Sequence, residues 1–505
     1  MKTPNTISIK SQWRLLKRGL TLTLVAMVVS CNEFLDELPD NRVTLDNLDK
    51  SAQLLANAYS VSSEAFTDWM TDNSAYTRGV ALRLAHSTAF EWGEFIDDPS
   101  EPDTPTFYWL ESYNAIAHAN EVLAALPEIE AVSENDIARK NAIESEALAT
   151  RAYAHFMLVN LFGKHYQKTN SLSDLGVPFV DKPETKFIQT YRRNTVKEVY
   201  DRVEADLLRA IELNDDSFFS NSGKYHFNRN ALFAFASRLY LFIGDYAKCV
   251  QYSSALLGSD PGSFVRDLTS DEFQNASSSI DAYPQLYSSP GQRSNLLLMR
   301  KISLVQRTDF GHGPTNAVYD DVFGANPFGS SDSRENPAFV KGENGLLPVR
   351  YENLFERSSL NSNVGTPYHI GIVFRGEEVL LNRAEAYVYQ GNMTAALADL
   401  QVLSDRRYFS TFPLTINAVR DFFGVGSSPF VSNQDVMIEY LLLERRKEFL
   451  MQGLRWFDIR RYELPVTHVL ADGTTTIELK AKDNRKVLQL PTSAIEVGGL
   501  TPNPR

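Results

Sequence analysis

The chain has 505 residues, 43% of them hydrophobic, so it is long enough for a large core and more than one subdomain. Its formal net charge is −13, and removal of the five cations in residues 1–30 makes it −18. An acidic surface argues against nucleic acid, and against an anionic membrane face, as the partner.

The first 30 residues have the layout of a secretory signal. Five cations and no acidic residue occupy 1–19, and an apolar run of about ten residues follows at 20–29. The run is too short to span a membrane, which takes about 20 apolar residues. The sequence Val28-Val29-Ser30-Cys31 resembles the bacterial lipobox, whose cysteine is acylated, for example by palmitate, and becomes residue one. We therefore predict a lipoprotein signal peptide over 1–30 and a lipid anchor on Cys31; the alternative is a chance cysteine beside an ordinary cleavage site.

An acidic, polar stretch, NEFLDELPDN, follows the anchor. It is typical of a solvated tether. It also resembles the acidic signal that sends some Gram-negative lipoproteins to the outside of the outer membrane. The expected location is therefore the outer membrane, with the body of the protein exposed at the cell surface.

Most of the body has helical periodicity, and two segments repeat one another at an offset of 147 residues. Gly244 aligns with Gly391 and Cys249 aligns with Ala396. An aromatic residue near the end of the first helix, a glycine at the turn and a small residue in the second helix form the tetratricopeptide pattern. Cys249 is thus predicted to be a buried packing residue. The second copy is predicted to be helical from Val373 onward.

Two long irregular regions, 62–108 and 262–368, interrupt the helical pattern. The second is rich in Gly, Ser, Asn and Pro and has only short strand-like runs such as LLLMR and LPVRY. Long loops in a compact protein usually carry function. Their aromatic residues offer faces for stacking on a sugar, and their Asp, Asn and Arg side chains suit hydroxyl groups, although a peptide uses the same residue types. The predicted ligand-binding residues are Trp69, Asp72, Asn73, Tyr76, Arg78, Trp92, Tyr283, Tyr287 and Arg293.

A charged motif near the C-terminus admits two interpretations. Glu444 and Glu448 lie one helical turn apart, and a pair of carboxylates is what a glycosidase requires. The structural interpretation is an ion network that fastens the last helix pairs. Apolar residues recur every seven positions beside the carboxylates, which favours this second interpretation. The predicted structural residues are Glu444, Arg445, Glu448, Gly453, Arg455 and Asp458.

Other signals of catalysis or metal binding are weak. The eight histidines are scattered, and no zinc motif, serine elbow or phosphate-binding glycine loop occurs. The acidic loop at 97–103 has hard oxygen ligands that suit calcium, but it lacks the EF-hand spacing. The prediction is a protein without catalytic residues, metal or cofactor, although a structural calcium remains an alternative.

Eight segments, in order, resemble the SusD/RagB family of outer-membrane nutrient-binding lipoproteins over nearly the whole mature length. After CNEFLDELP come WLESYNAIAHANEVL, ESEALATRAYAHFMLVNLFG with GVPFVDKP, and NTVKEVYDRVEADLLRAIELN. FRGEEVLLNRAEAYVYQGN, ERRKEFLMQGLRWFDIRRY and VLQLPTSAIEVGGLTPNP follow. One departure is Gln452, where a glutamate is usual.

The resemblance implies an all-α, tetratricopeptide-like helix-pair scaffold with long irregular loops and a few short strands. It also implies a partner, a SusC-like TonB-dependent barrel on which the lipoprotein sits as a lid, and a nutrient ligand, expected to be a glycan. The predicted organisation is an N-terminal region over 31–215, a joining helix pair over 216–261 and a C-terminal region over 262–505. The alternatives are a lipid-anchored glycosidase and a protein-binding tetratricopeptide scaffold.

Overall fold

The computed structural model describes residues 45–186, 189–219, 223–307 and 311–505. The predicted signal peptide and Cys31 lie outside the described residues. Asn47–Arg505 forms one compact unit. The boundaries predicted at 215 and 261 therefore subdivide the chain within this unit and stay predictions.

Seventeen helices are found in the described residues. In chain order they are α1 (Leu48–Leu55), α2 (Phe66–Trp69), α3 (Leu84–Phe90), α4 (Pro105–Ala125), α5 (Glu134–Phe162), α6 (Val196–Leu213), α7 (Arg229–Ile243), α8 (Tyr246–Leu257), α9 (Asp271–Ala276), α10 (Ala282–Tyr287), α11 (Asn316–Phe323), α12 (Gly376–Tyr389), α13 (Met393–Ser404), α14 (Ile416–Phe422), α15 (Asn433–Glu448), α16 (Arg455–Arg461) and α17 (Thr492–Glu496). No helix of the described chain is both long enough and apolar enough to cross a membrane.

The long N-terminal helices are defined by their caps and by burial. The Thr104 side chain caps α4 ahead of a proline at its first position. Capping boxes begin α5, with Ser133 and Asp136, and α6, with Thr195 and Glu198. Because α5 packs against both α4 and α6, its second half is buried all round and forms much of the main apolar core.

The predicted helix-pair repeat is confirmed in α7–α8 and α12–α13. Gly244 and Gly391 adopt φ of 81° and 76° at the two turns, the left-handed region that a glycine enters without a steric penalty. Cys249 and Ala396 are fully buried where the second helix of each pair crosses the first. The two pairs stack through α8 and α12, so the chain has the predicted tetratricopeptide-like, all-α scaffold.

Nine strands occur in the described residues, most of them short. They are β1 (Ala75–Tyr76), β2 (Asn295–Ile302), β3 (His312–Gly313), β4 (Ala338–Lys341), β5 (Gly345–Pro348), β6 (Leu354–Arg357), β7 (Gly365–Arg375), β8 (Val466–Val469) and β9 (Thr476–Leu479). Four small antiparallel sheets result, with strand orders β1-β3, β2-β7-β6, β4-β5 and β8-β9.

The three-stranded sheet corrects one detail of the sequence analysis. Val373 was predicted to be helical, but it lies in β7, an eleven-residue strand that pairs with β2. Residues 371–375 at the end of this strand are all buried, so the segment lacks the alternation typical of a strand and its apolar residues run directly into the stripe of α12. The predicted run LLLMR does form part of β2.

Candidate functional site

Two of the predicted ligand-binding rings are core residues. Trp69, in α2, is 0% exposed and stacks on His86 with ring centroids 3.8 Å apart. Trp92 is 3% exposed, stacks on His468 at 4.5 Å, and donates a hydrogen bond from Nε1 to the Met70 carbonyl oxygen at 2.9 Å. Neither ring presents a face to solvent. The prediction that the two rings stack on a ligand is therefore wrong, and they instead anchor their loop to the scaffold.

The second predicted cluster is also largely buried. Tyr283 and Tyr287, in α10, pack in a small apolar cluster with Phe273. The Arg350 guanidinium lies 5.7 Å and 5.4 Å from their ring centroids. These two rings are loop anchors as well, in an apolar cluster separate from that of Trp69 and Trp92. Arg293 is exposed and lies over the Phe264 ring at 4.4 Å.

The polar residues that follow Trp69 are bound to the C-terminal charged motif. Arg455 donates from Nε and Nη2 to the two carboxylate oxygens of Asp72, at 2.9 and 2.7 Å. Arg446 donates from Nε to Asn73 Oδ1 at 2.7 Å. Although burial raises the pKa of Asp72, the Arg455 guanidinium outweighs it and the net pKa is lowered. This link between the predicted binding loop and the motif could not be predicted from the sequence, because the link joins residues some 380 positions apart.

Tyr76 and Arg78 remain accessible. Strand β1 pairs Tyr76 with His312, and the turn between β4 and β5 lies beside it. Asn344 fixes the loop: its Oδ1 accepts from the Arg78 backbone N–H at 2.8 Å and its Nδ2 donates to the Tyr76 carbonyl oxygen at 3.3 Å. Gly342 permits this approach, since a Cβ there would lie 2.1 Å from the Arg78 carbonyl oxygen.

The two segments that meet here, the one after Tyr76 and the one with β4, also carry exposed apolar side chains. Leu82 and Leu84 follow on the same segment, and Val340 projects from β4, all three exposed. The Arg78 guanidinium lies 3.9 Å from the Glu343 carboxylate, with both side chains exposed. We call this region the Tyr76 surface, and it consists of Tyr76, Arg78, Leu82, Leu84, Val340 and Glu343. Sequence reasoning missed the contribution of 338–345, which the fold alone brings to the first loop.

The paired carboxylates of the motif lie in a buried ion network. The Arg334 Nη1 and the Tyr408 hydroxyl donate to Glu444, at 2.9 and 2.6 Å. Arg407 donates from Nε and Nη2 to both oxygens of Glu448, each at 2.7 Å. Burial raises the pKa of Glu448, but the Arg407 guanidinium dominates, with Arg334 adding to it, and lowers that pKa to about 2. A glycosidase acid needs a raised pKa and an exposed position, so this geometry favours the structural interpretation.

The other motif residues tie helices together. Arg445, on α15, donates from Nε to Asp458 on α16 at 2.9 Å. Gly453 adopts φ of 74° between these two helices, and its N–H points at the Asp68 carboxylate, 3.0 Å from Oδ2. The motif thus joins α15, α16 and the segment before the Tyr76 surface.

The acidic loop at 97–103 is held by hydrogen bonds. Asp97 accepts from the Thr106 hydroxyl at 2.9 Å and from the Thr492 backbone N–H at 3.1 Å. Asp98 accepts from the Ser100 backbone and hydroxyl at 2.8 and 2.7 Å. Both side chains therefore have a role in fixing the loop ahead of α4.

Comparisons with known proteins agree with one another. A family profile described as "Starch-binding associating with outer membrane" matches residues 33–241, and one described as "SusD family" matches residues 341–493. SusD-like protein P38 of Formosa agariphila is 24% identical over 478 residues, which cover 80% of this chain and 86% of the relative.

Solved structures show the same fold. A SusD superfamily protein from Bacteroides thetaiotaomicron matches 91% of this chain and 100% of its own, with a TM-score of 0.64 and 21% identity. A structure described as "Laminarin binding SusD-like protein" matches 91% of this chain and 99% of its own, with a TM-score of 0.59 and 18% identity.

Proposed function

The chain belongs to the SusD/RagB family, and we propose on that basis that it is a cell-surface lipoprotein that captures an oligosaccharide. It delivers the glycan to a SusC-like TonB-dependent barrel in the outer membrane and acts as the lid of that transporter. The starch-binding description of the family profile and the laminarin-binding structural neighbour support a glycan ligand.

The observation that carries the proposal for this chain is the Tyr76 surface. The half-buried Tyr76 ring lies 6.3 Å from the ring of His312, its partner across the strand pair, and Arg78 and Glu343 are exposed nearby. An exposed ion pair at 3.9 Å contributes little to folding, so both side chains are free to turn toward hydroxyl groups of a ligand. The ring supplies an apolar face for the C–H side of a sugar.

Binding without catalysis is part of the proposal. The two carboxylates of the motif accept hydrogen bonds from arginines in the protein interior, so they have no access to a glycosidic bond. Incubation of the purified protein with starch and laminarin oligosaccharides, followed by chromatography, tests this point. We expect the oligosaccharides to be recovered intact. Cleavage of many oligosaccharide molecules per protein molecule would instead support the glycosidase alternative.

The binding site is tested by titration calorimetry with a panel of glycans that includes starch and laminarin fragments. We expect Tyr76→Ala to weaken binding about fivefold, which corresponds to the ~1 kcal/mol of one stacked ring. Binding should depend little on salt, because a neutral glycan carries no charge to be screened.

Tyr225→Ala serves as the matched control, because Tyr225 is also accessible, at 40% exposure, but lies outside the Tyr76 surface. It should bind like the parent. Equal affinity of Tyr76→Ala and the parent for every glycan that binds would place the ligand elsewhere.

A further inference from the structure

A small polar cavity lies beneath the inner face of the three-stranded sheet. It is enclosed by β2 and β7 on one side, by residues 63–68 on another and by the turn at 451–453, and has a volume of about 30 Å³. We call it the Glu64 cavity; its polar lining residues are Ser63, Glu64, Asp68, Lys301, Tyr351, His369 and Gln452. The Tyr76 surface contributes no residue to it.

Three of these side chains converge around Gly453. The Gly453 N–H faces both oxygens of Asp68, at 3.0 and 3.2 Å. A Cβ at Gly453 would lie 2.5 Å from Glu64 Cγ, so the Glu64 side chain lies directly against this turn. Gln452 is the preceding residue, and its Nε2 donates to the Glu448 carbonyl oxygen at 2.9 Å, which fixes the amide.

The sheet supplies the opposite wall. Lys301 and His369 are directly paired in the register of β2 and β7. Lys301 Nζ donates to the Ser62 carbonyl oxygen at 2.9 Å and lies 3.9 Å from Glu64 Oε2. The His369 ring stacks on Tyr351, and burial lowers the pKa of His369 to about 3, so the imidazole is neutral.

Three buried polar atoms of this lining accept or donate no hydrogen bond within the described chain, although Lys301 Nζ lies 3.9 Å from one of them, Glu64 Oε2. Glu64 Oε2, Gln452 Oε1 and His369 Nδ1 are buried, and none of the described residues hydrogen-bonds to them. Gln452 is 7% exposed and His369 5%. A buried acceptor without a donor costs about 1–3 kcal/mol, and more when it is charged. Two of the three atoms are oxygens that only accept, so the cavity favours a ligand that supplies positive charge.

The charges of the lining point the same way. The lining holds two carboxyl groups, Glu64 and Asp68, and one ammonium group, Lys301, so when both carboxyl groups are ionised one negative charge has no partner within the lining. Arg238 is near Glu64, but its own partner is Glu378, 2.6 Å away.

We propose that the Glu64 cavity binds one small monovalent cation, held by Glu64 Oε2, Gln452 Oε1 and the Asp68 carboxylate. One positive charge neutralises the lining, whereas a divalent ion would exceed it and be repelled by the Lys301 ammonium. The volume admits an ion or a water molecule and excludes a sugar ring. The proposed donor set is two carboxylates and an amide, and in the described residues no group of three or more His, Cys, Asp or Glu side chains is arranged to hold a metal.

The cation fixes the turn at 451–453 against residues 63–68 and so stabilises the fold. This inference is independent of the proposed glycan binding, since the cavity and the Tyr76 surface share no residue. It is tested by the melting temperature of the purified protein in sodium, potassium, ammonium and choline chloride at equal ionic strength and mildly alkaline pH. We expect at least one small cation to raise the melting temperature by about 1–3 °C over choline, which is too large for the cavity.

Glu64→Gln keeps the shape of the side chain but removes the charge, and should abolish the difference between the salts. Glu343→Gln, at an exposed carboxylate outside the cavity, should leave the difference unchanged. Gln452→Glu adds a carboxylate to the site and should enlarge the difference, which provides a second test if Glu64→Gln folds poorly. Identical melting temperatures of the parent protein in all four salts would overturn the proposal. So would a salt difference that persists in Glu64→Gln and stays unchanged in Gln452→Glu.

Discussion

Glu448 illustrates how far a residue's surroundings determine its role. Both of its oxygens accept from Arg407, and Arg334 Nη1 lies 3.5 Å from Oε2. On an open surface, the same carboxylate would be a candidate catalytic group. Here its removal takes the two-point partner away from Arg407, which keeps only a 3.4 Å contact with Glu377, while Arg334 keeps Asp332 and Glu444.

We predict that Glu448→Ala lowers the free energy of unfolding by about 3–5 kcal/mol, because breaking one partner of a buried pair strands the other. Denaturant titration measures this change. Glu356→Ala removes a carboxylate from an exposed pair with Arg300 and should cost less than about 1 kcal/mol. A Glu448→Ala protein as stable as the parent, yet unable to bind a glycan, would contradict the structural role.

The same residue predicts acid sensitivity. Because its pKa in the folded protein, about 2, lies below the ordinary glutamate value of 4.5, its contribution to stability is complete above the unfolded pKa. It is lost as the pH falls from about 4.5 toward about 2. Unfolding followed against pH should therefore show less acid destabilisation across this range in Glu448→Gln than in the parent, after allowance for its lower starting stability.

At the scale of residues, the sequence showed which residue types were present but not which of them would be buried. Trp69 and Trp92 sit in an irregular region and looked available to a ligand. They are buried because His86 and His468 stack on them, and His468 comes from a hairpin some 380 residues away. Contacts of that separation leave no local pattern in the sequence. Tyr76 and Arg78 remain the accessible part of the predicted first loop.

Elements were predictable to the extent that their signals are local. The helix pairs were found from an apolar period of 3.6 residues and a glycine at the turn, both contained in about 30 residues. Strand β7 was missed because its partner β2 begins 70 residues earlier and because glycine and proline lie within it. The Tyr76 surface was only half predicted for the same reason, since the turn between β4 and β5 reaches it through the fold.

The repeat turns provide a test at the scale of elements. Gly244→Ala places a Cβ at φ of 81°, where its nearest neighbour would be the Tyr246 hydroxyl at 3.9 Å. The space is open, so the cost is backbone strain, about 1–2 kcal/mol. Gly313→Ala is the control, because its φ lies outside the left-handed region and nothing lies within 4 Å of the new Cβ. It should be neutral or slightly stabilising. Equal effects of the two substitutions in denaturant titration would contradict the role of Gly244.

At the scale of the whole molecule, the acidic body and the predicted signal peptide over 1–30 are expected to have different roles. A net charge of −13 keeps the precursor soluble and discourages contact with anionic headgroups. No helix of the described chain can span a bilayer. The lipid predicted on Cys31 would attach the body to the membrane, and the stretch predicted to be a tether would keep it close to the proposed transporter.

The anchor can be tested with the two cysteines of the chain as a matched pair. Cys31→Ser removes the predicted lipidation site, so the protein should be released from the outer membrane or accumulate with its signal peptide uncleaved. Cys249→Ser changes a thiol that is buried in the repeat core, where burial raises its pKa to about 12, and should leave lipidation intact. Membrane fractionation, with mass spectrometry of the N-terminal peptide, distinguishes the outcomes: acyl chains should be found on Cys31 in the parent and in Cys249→Ser. A Cys31→Ser protein retained in the outer membrane at the parental level would show that something other than this cysteine holds the protein there.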